Sequence, residues 1–283
     1  GIRVFYYISP KVWAWKEHRV ERIRRYVDKL FIIFPFEVEY FARRGIDAVY
    51  EGNPLMDAIA ERCAAMPPRE EFFRANGFGA RPVIALLAGS RRSEVRNNLP
   101  FMAALAELMP EYDFVLAAVP WLDRELYGEL LAGSRIICLY DKTYEIVRYA
   151  DAAVVTSGTA TLETALIGTP EVVCYRTDAL TVWAGRWLLK IPYISLVNLV
   201  MGREVVKELI QQEMTPERAA EELWAILPGG GQRERMLADY DALRKRIGGP
   251  GASERVAARM VALLKGEKAP RPTEREQENG GAK

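Results

Sequence analysis

Short apolar segments alternate with segments of helical periodicity along most of this 283-residue chain. The pattern is typical of parallel β-strands joined by crossover helices, and it predicts an α/β fold. Strands are expected at 3–8, 29–34, 47–50, 82–87, 113–118, 135–138, 152–155 and 171–175. Helices are expected near 16–27, 36–44, 55–65, 96–109, 121–131, 142–149, 159–168, 179–190, 203–213, 216–227, 232–247 and 253–265.

Two consecutive prolines, Pro67 and Pro68, cannot continue a helix and therefore separate two blocks of strands. The first block has three strands, and the second predicts a doubly wound sheet of five or six strands. The chain begins at Gly1 without a methionine and enters a strand at once, so we expect the first domain to be incomplete. The expected divisions are 1–57 for this half-domain, 58–80 for linker helices, 81–227 for a complete Rossmann-like domain and 228–266 for C-terminal helices.

The tail, 267–283, carries eight charged residues and no Leu, Ile, Val or Phe, which predicts disorder. Over the whole chain, 39 basic residues balance 38 acidic ones, which disfavours nucleic acid as a partner. The longest stretch without a charge, 191–202, is shorter than the roughly 20 residues of a membrane-spanning helix.

Cysteine and histidine are too scarce for several common kinds of site. The three cysteines are far apart and odd in number, which disfavours a disulfide framework or a zinc site and indicates a reducing compartment. The single histidine, His18, lies in a charged segment away from any nucleophile, so a hydrolase with a catalytic histidine is disfavoured.

The segment after the strand at 82–87 has the composition of an anion-binding loop. Gly89 lets the backbone approach a ligand closely, Ser90 offers a hydroxyl, and Arg91 can hold phosphate oxygens in a bidentate manner. Glu94 follows within the same segment. The alternative interpretation is an ordinary turn into a helix with exposed arginines.

The segment after the strand at 152–155 contains five consecutive small residues, 157–161, at a predicted helix start. Small side chains leave the backbone N–H groups open, and a helix N-terminus favours an anion. Glu163 lies about one turn into this helix, where its carboxylate could accept hydrogen bonds from vicinal hydroxyls. The alternative is a capped helix packed on the sheet. Because both segments follow strands of one sheet, we expect them to meet at its edge.

Three further features have competing interpretations. Asn198 lies in an apolar run and could simply bond loop backbone. Asp239 and Asp241 lie within a predicted helix, where residues two apart do not share a face, so they should not chelate a metal. A basic helix at 16–25, beside Trp13 and Trp15, could contact an anionic membrane or simply be solvated.

Several stretches of this sequence, taken in the same order along the chain, resemble the lipid-A-disaccharide synthase family, which has the GT-B fold. The matching stretches are 7–15, 19–20, 34–37, 52–55, 89–91 with 94, 157–163, and 193–199 through 211. The most specific is Ser-Pro-x-Val-Trp-Ala-Trp at 9–15. The resemblance implies two Rossmann-like doubly wound domains, with the acceptor-side domain incomplete in this chain and the UDP-sugar donor domain at 81–227.

The resemblance also implies an inverting, metal-independent glycosyltransferase without a cofactor. It would move 2,3-diacylglucosamine from UDP to 2,3-diacylglucosamine 1-phosphate, in the cytoplasm at the inner-membrane surface, with a homodimer left open. The residues implied in UDP and donor binding are Gly89, Ser90, Arg91, Glu94, Ser157, Gly158, Thr159, Ala160, Thr161, Glu163, Asn198 and Gln211. Arg91 and 157–161 would hold the diphosphate, Glu163 the ribose, and Asn198 with Gln211 would line the donor pocket.

The family's catalytic base is expected in a Pro-Asp-Phe segment upstream of Gly1, so no catalytic residue is assigned in this chain. The sequence departs from the family at Ala88 and Val197, where proline is usual, and at Asn53, where many members have histidine. The alternatives are a catalytically silent UDP-sugar-binding fragment or another GT-B enzyme, such as a UDP-N-acetylglucosamine transferase or 2-epimerase. The stretch at 9–15 argues against another GT-B enzyme. If the chain is active alone, Glu37, Glu39 or Glu51 would be the candidate bases.

Overall fold

A computed structural model describes residues 2–13, 17–176 and 192–266 of the chain. The chain forms two compact units. One takes in the residues up to Ala60 and those from Ala242 onward, and the other is Glu61–Asp241. The predicted helix at 179–190 and the predicted disordered tail at 267–283 lie outside the described residues, as do Trp15 and Lys16.

The first unit contains a three-stranded parallel sheet in the order β1-β2-β3. Its strands are β1 (Phe5–Tyr7), β2 (Lys29–Ile32) and β3 (Ala48–Tyr50), as the apolar runs predict. The helices between them are α1 (Val20–Tyr26), which follows a 3-10 turn at Glu17–Arg19, and α2 (Phe36–Ala42). The central strand β2 is apolar after Lys29 because both its faces are covered, and Leu30, Phe31 and Ile32 are fully buried.

The second unit contains a six-stranded parallel sheet in the order β6-β5-β4-β7-β8-β9. Its strands are β4 (Val83–Leu87), β5 (Asp113–Ala118), β6 (Ile137–Tyr140), β7 (Ala152–Thr156), β8 (Glu171–Tyr175) and β9 (Lys207–Ile210). Its central strands β4 and β7 are buried along their whole length. The predicted strands at 82–87, 113–118, 152–155 and 171–175 are confirmed, and the predicted strand at 135–138 lies two residues later.

Helices α3 (Leu55–Ala64) and α4 (Arg69–Ala75) lie on either side of the paired prolines, near the expected linker positions. The crossover helices of the six-stranded sheet also fall near their expected positions. They are α5 (Arg92–Leu108), α6 (Arg124–Leu130), α7 (Thr143–Tyr149) and α8 (Thr159–Ile167).

The helix predicted at 203–213 is wrong. The described chain has a short helix α9 (Leu196–Met201), which ends at Gly202 with φ +70°, and residues Lys207–Ile210 then form the edge strand β9. A 3-10 turn follows at Gln211–Glu213. The spacing of Val205, Val206 and Leu209 also fits a helix, but pairing with β8 provides hydrogen bonds that local periodicity cannot reveal.

Three C-terminal helices agree with prediction: α10 (Pro216–Ile226), α11 (Arg233–Ile247) and α12 (Ala252–Lys265). Thr215 caps α10 by accepting a hydrogen bond from the Arg218 N–H, and Pro216 begins the helix without needing a donor. No helix in the described part of the chain has the length and apolar character needed to cross a bilayer.

Candidate functional site

The six-stranded sheet has its topological switch point between β4 and β7. From β4 the chain moves outward through β5 to β6, and it then returns to β7 and moves outward on the other side through β8 to β9. The loops after β4 and β7 therefore diverge, and the crevice between them is where open α/β sheets bind ligands. The two predicted loops, at 88–91 and 157–158, are the ones that follow these strands.

Glu94 closes the loop after β4. Its Oε2 accepts hydrogen bonds from the backbone N–H of Ser90 at 2.9 Å and of Arg91 at 3.2 Å. Gly89 has φ +111°, and a Cβ there would lie 2.5 Å from the Glu94 Cβ and 2.6 Å from Oε2. The loop therefore needs glycine at this position. The resemblance implies Glu94 in donor binding. In the structure, its carboxylate bonds the backbone of the loop and so fixes the conformation of the loop.

Arg91 is the exposed cation of this loop. Its side chain is 80% exposed, and its one ion pair with a described residue is to Glu94, with Nη1 3.2 Å from Oε1. An exposed pair of this kind contributes at most about 1 kcal/mol, so the guanidinium can readily turn to an anionic ligand. The neighbouring Arg92 is instead paired with Asp123.

Trp121 contacts this loop from outside it and is not found by sequence reasoning. Its indole N–H donates to the carbonyl oxygen of Ser90 at 3.0 Å, although the residue is 67% exposed. It lies just after β5, and no motif in the sequence connects it with the loop that it contacts.

The loop after β7 presents backbone N–H groups at the start of α8. Gly158 and Thr159 are exposed there, and Gly158 has no side chain to cover the helix terminus. Two hydroxyls of the loop are occupied by backbone groups: Thr161 donates to the Gly158 carbonyl and Ser157 to the Ile194 carbonyl, both at 2.9 Å. The open N–H groups, rather than these hydroxyls, are therefore the groups suited to an anion.

Asn98 connects the bases of the two loops. Its amide donates to the Ala88 carbonyl at 3.1 Å and to the Thr156 hydroxyl at 2.8 Å, and the side chain is buried. Ala88 and Thr156 are the residues through which β4 and β7 pass into their loops. Asn98 thus sets the separation of the loops, and sequence reasoning does not find it because it lies in the middle of α5.

Glu163 lies on the first turns of α8, half-buried, with Tyr144 of α7 against it. The Tyr144 hydroxyl donates to Glu163 Oε1 at 2.8 Å. The guanidinium of Arg62 lies over the tyrosine ring, 5.5 Å from its centroid. Because α8 follows β7, Glu163 lies at the same edge of the sheet as the two loops.

The side chain of Asn198 bonds the backbone of its own loop, and its place in the donor pocket stays a prediction. It is fully buried, and its Oδ1 accepts from the backbone N–H of Val205 at 2.7 Å and of Val206 at 3.0 Å. Its Nδ2 donates at 2.9 Å both to the Val206 carbonyl and to Glu208 Oε1. These bonds use the amide's capacity, so the structure favours the role of bonding loop backbone.

Gln211 is the residue that follows β9, and it has φ +56° although it is not a glycine. Asp141, directly after β6, has φ +55°. Such values are uncommon for residues other than glycine, and the residues that adopt them cluster at functional sites. Gln211 follows the outer strand β9, and β8 lies between β9 and β7 in the sheet.

In the first unit, the three carboxylates considered as bases are all occupied. Glu37 is fully buried and accepts hydrogen bonds from the Trp13 indole at 2.9 Å and from two backbone N–H groups, and burial raises the pKa of its carboxyl. Glu39 is paired with Arg43, and Glu51 with Arg259 at 2.7 Å.

Two further residues discussed from the sequence also have structural partners. Asn53 is buried and bonds the Ile33 carbonyl and the Leu55 N–H, both at 2.9 Å. Asp239 forms a two-point ion pair with Arg203, which holds the pKa of its carboxyl below the usual value. These contacts are all made within the protein, and they do not direct either side chain toward a ligand.

The chain matches a family model described as lipid-A-disaccharide synthetase over residues 1–258. It is 40% identical over 270 residues to the lipid-A-disaccharide synthase of Myxococcus xanthus, covering 93% of this chain and 70% of the relative. It is 42% identical over 277 residues to the enzyme of the same name from Syntrophus aciditrophicus, covering 94% and 70%.

Two solved structures show the same fold at low sequence identity. The S. aureus MnaA structure with UDP has a TM-score of 0.57 at 15% identity and covers 89% of this chain and 65% of that one. The UDP-GlcNAc 2-epimerase of Neisseria meningitidis bound to UDP-GlcNAc has a TM-score of 0.57 at 16% identity, covering 85% and 62%. The chain thus spans less than two thirds of these structures, and the likeness concerns the Rossmann-like GT-B fold alone. Because the family model and the two curated relatives agree with each other and are synthases rather than epimerases, this chain belongs to the lipid-A-disaccharide synthase family of glycosyltransferases, which form the lipid A disaccharide.

Proposed function

We propose that the six-stranded unit binds the UDP moiety of the donor for transfer of 2,3-diacylglucosamine to 2,3-diacylglucosamine 1-phosphate. The observation that supports this most directly is the grouping of three features at one sheet edge: the Gly89 loop, the start of α8 and Glu163. The Gly89 loop and the start of α8 would bind the diphosphate, and Glu163 would accept hydrogen bonds from the ribose diol. Synthase relatives at 40% and 42% identity support the choice of reaction.

In the proposed reaction, a hydroxyl of the acceptor attacks the anomeric carbon of the donor on the face opposite to UDP. The new C–O bond forms while the bond between that carbon and the diphosphate oxygen breaks, so UDP leaves with the electron pair and the configuration inverts. The hydroxyl proton passes to a base. Negative charge grows on the diphosphate, where the Arg91 guanidinium and the N–H groups of α8 stabilise it without a metal ion.

UDP binding by isothermal titration calorimetry tests this proposal. Charge-assisted hydrogen bonds contribute about 1.5–3 kcal/mol, so we expect Arg91→Ala to weaken UDP binding roughly tenfold to a hundredfold. Glu163→Ala should weaken it by a comparable factor, and EDTA should leave wild-type binding unchanged.

Arg92→Ala is the matched control, because this neighbouring arginine forms an ion pair with Asp123, which lies outside the loop. Its affinity for UDP should stay within about twofold of the wild type, as is usual for exposed pairs. Unchanged affinity in both Arg91→Ala and Glu163→Ala would sink the proposal.

A further inference from the structure

The Glu163 carboxylate is held at one oxygen by a tyrosine from the neighbouring helix. The Tyr144 hydroxyl donates to Oε1 at 2.8 Å, from the second residue of α7 to the fifth residue of α8. Both side chains are half-buried. Within the described ranges no other hydrogen bond or ion pair reaches this carboxylate, so Oε2 is open to a ligand.

Tyr144 remains a hydrogen-bond donor at physiological pH. Burial, together with the negative charge of Glu163, raises the pKa of its phenol above the usual value. The nearby Arg62 guanidinium lowers this pKa, but by less than the raising effects. A neutral phenol has one proton to give, and here Glu163 receives it.

This bond fixes the direction of the carboxylate. The terminal torsion of a glutamate is broad, so an unsupported carboxylate samples many orientations. Tyr144 restricts Glu163 to one of them and leaves a second lone pair on Oε1 as well as both on Oε2. A carboxylate oriented in this way can accept one hydrogen bond on each oxygen from two adjacent hydroxyls.

We infer that Tyr144 is a positioning residue that makes this site selective for ribonucleoside diphosphates over their 2′-deoxy counterparts. The inference rests on the proposed function, in which Glu163 receives the ribose. When the 2′-hydroxyl is absent, an oriented carboxylate loses one of its two partners and is left partly unpaired, which is the strongest basis for rejecting a close analogue. A freely turning carboxylate adjusts to either sugar and discriminates less.

Calorimetry with UDP and 2′-deoxy-UDP on the full chain tests the inference. We expect the wild type to bind UDP about tenfold more tightly than 2′-deoxy-UDP, the usual effect of one hydrogen bond to a charged group. In Tyr144→Phe the affinity for UDP should fall about fivefold, whereas that for 2′-deoxy-UDP should change by less than about twofold. The preference for ribose should therefore shrink to about twofold or threefold.

Tyr149→Phe is the matched control on the same helix. The hydroxyl of Tyr149 donates to the Pro67 carbonyl, so this variant loses a hydrogen bond without touching Glu163. Its preference for UDP over 2′-deoxy-UDP should equal that of the wild type. Thermal unfolding of both variants shows whether either has lost its fold.

Two results separate failure of this inference from failure of the proposed function. If Glu163→Ala abolishes the preference for ribose and Tyr144→Phe retains all of it, Tyr144 does not position the carboxylate and the inference is overturned. If Glu163→Ala changes neither affinity, Glu163 does not receive the ribose, and the proposed function fails together with the inference.

Discussion

Gly89 occupies a position that no other residue can take without moving the loop. A Cβ at this position would overlap the Glu94 side chain, and the backbone has φ +111°, which L-residues rarely adopt. Gly89 makes two hydrogen bonds possible, because the Glu94 side chain passes close to Gly89 to reach the N–H groups of Ser90 and Arg91.

We therefore expect Gly89→Ala to weaken UDP binding at least tenfold, since the displaced loop carries Arg91 with it. Calorimetry measures the affinity, and thermal unfolding measures the strain. Gly79→Ala is the control, because a Cβ there meets nothing within 4 Å and the backbone is not left-handed. Equal UDP affinity in Gly89→Ala and the wild type would show that the loop geometry is not required.

At the scale of elements, the segment before and within α9 depends on one carboxylate of β9. Glu208 accepts hydrogen bonds from the backbone N–H of Ile194 at 3.0 Å and of Ser195 at 2.9 Å, as well as from the Asn198 amide. The Ile194 carbonyl in turn accepts a hydrogen bond from the Ser157 hydroxyl. The edge strand thus supports the loop that begins α8.

Glu208→Gln should loosen this segment, because an amide offers one acceptor oxygen where the carboxylate offers two. We expect the amides of Ile194 and Ser195 to exchange hydrogen about tenfold faster, and UDP affinity to fall by a few-fold. Glu204→Gln is the control, since Glu204 is exposed and lies 3.6 Å from Lys207 in a local pair. Exchange rates that match the wild type in Glu208→Gln would contradict this role.

The same elements show what the sequence can reveal. Strands β4 and β7 are buried along their whole length and are apolar except for Thr156, so their positions and the loops after them follow from composition. The periodicity of β9 predicts a helix instead, because the identity of this strand depends on pairing with β8. Tyr144 and Asn98 act on partners 19 and 58 residues away, and only the folded sheet brings them together.

At the scale of the whole molecule, Glu171 is a buried residue whose carboxyl has no hydrogen bond among the described residues to offset its loss of water. It is the first residue of β8, fully buried, and neither carboxyl oxygen has a hydrogen-bond partner there. It adjoins a cavity of about 240 Å³ at the edge of the sheet opposite the loops that follow β4 and β7. The charged residues around that cavity are Glu204, Lys207, Glu222, Arg235 and Asp239. Burial raises the pKa of the Glu171 carboxyl well above the usual value, because it disfavours the charged form.

This raised pKa predicts a pH-dependent loss of stability. In the unfolded chain Glu171 ionises above about pH 4.3, whereas in the folded chain it ionises only above its raised pKa. Between these two values the unfolded state binds fewer protons, so the free energy of unfolding falls as the pH rises. Glu171→Gln cannot ionise, so it removes this pH dependence of the free energy of unfolding while keeping the side chain's size. We therefore expect the Tm of Glu171→Gln, measured by calorimetry from pH 5 to pH 8, to rise relative to the wild type by several degrees across that range. Parallel Tm curves for the two proteins would show that Glu171 has the same proton affinity in the folded and unfolded chains.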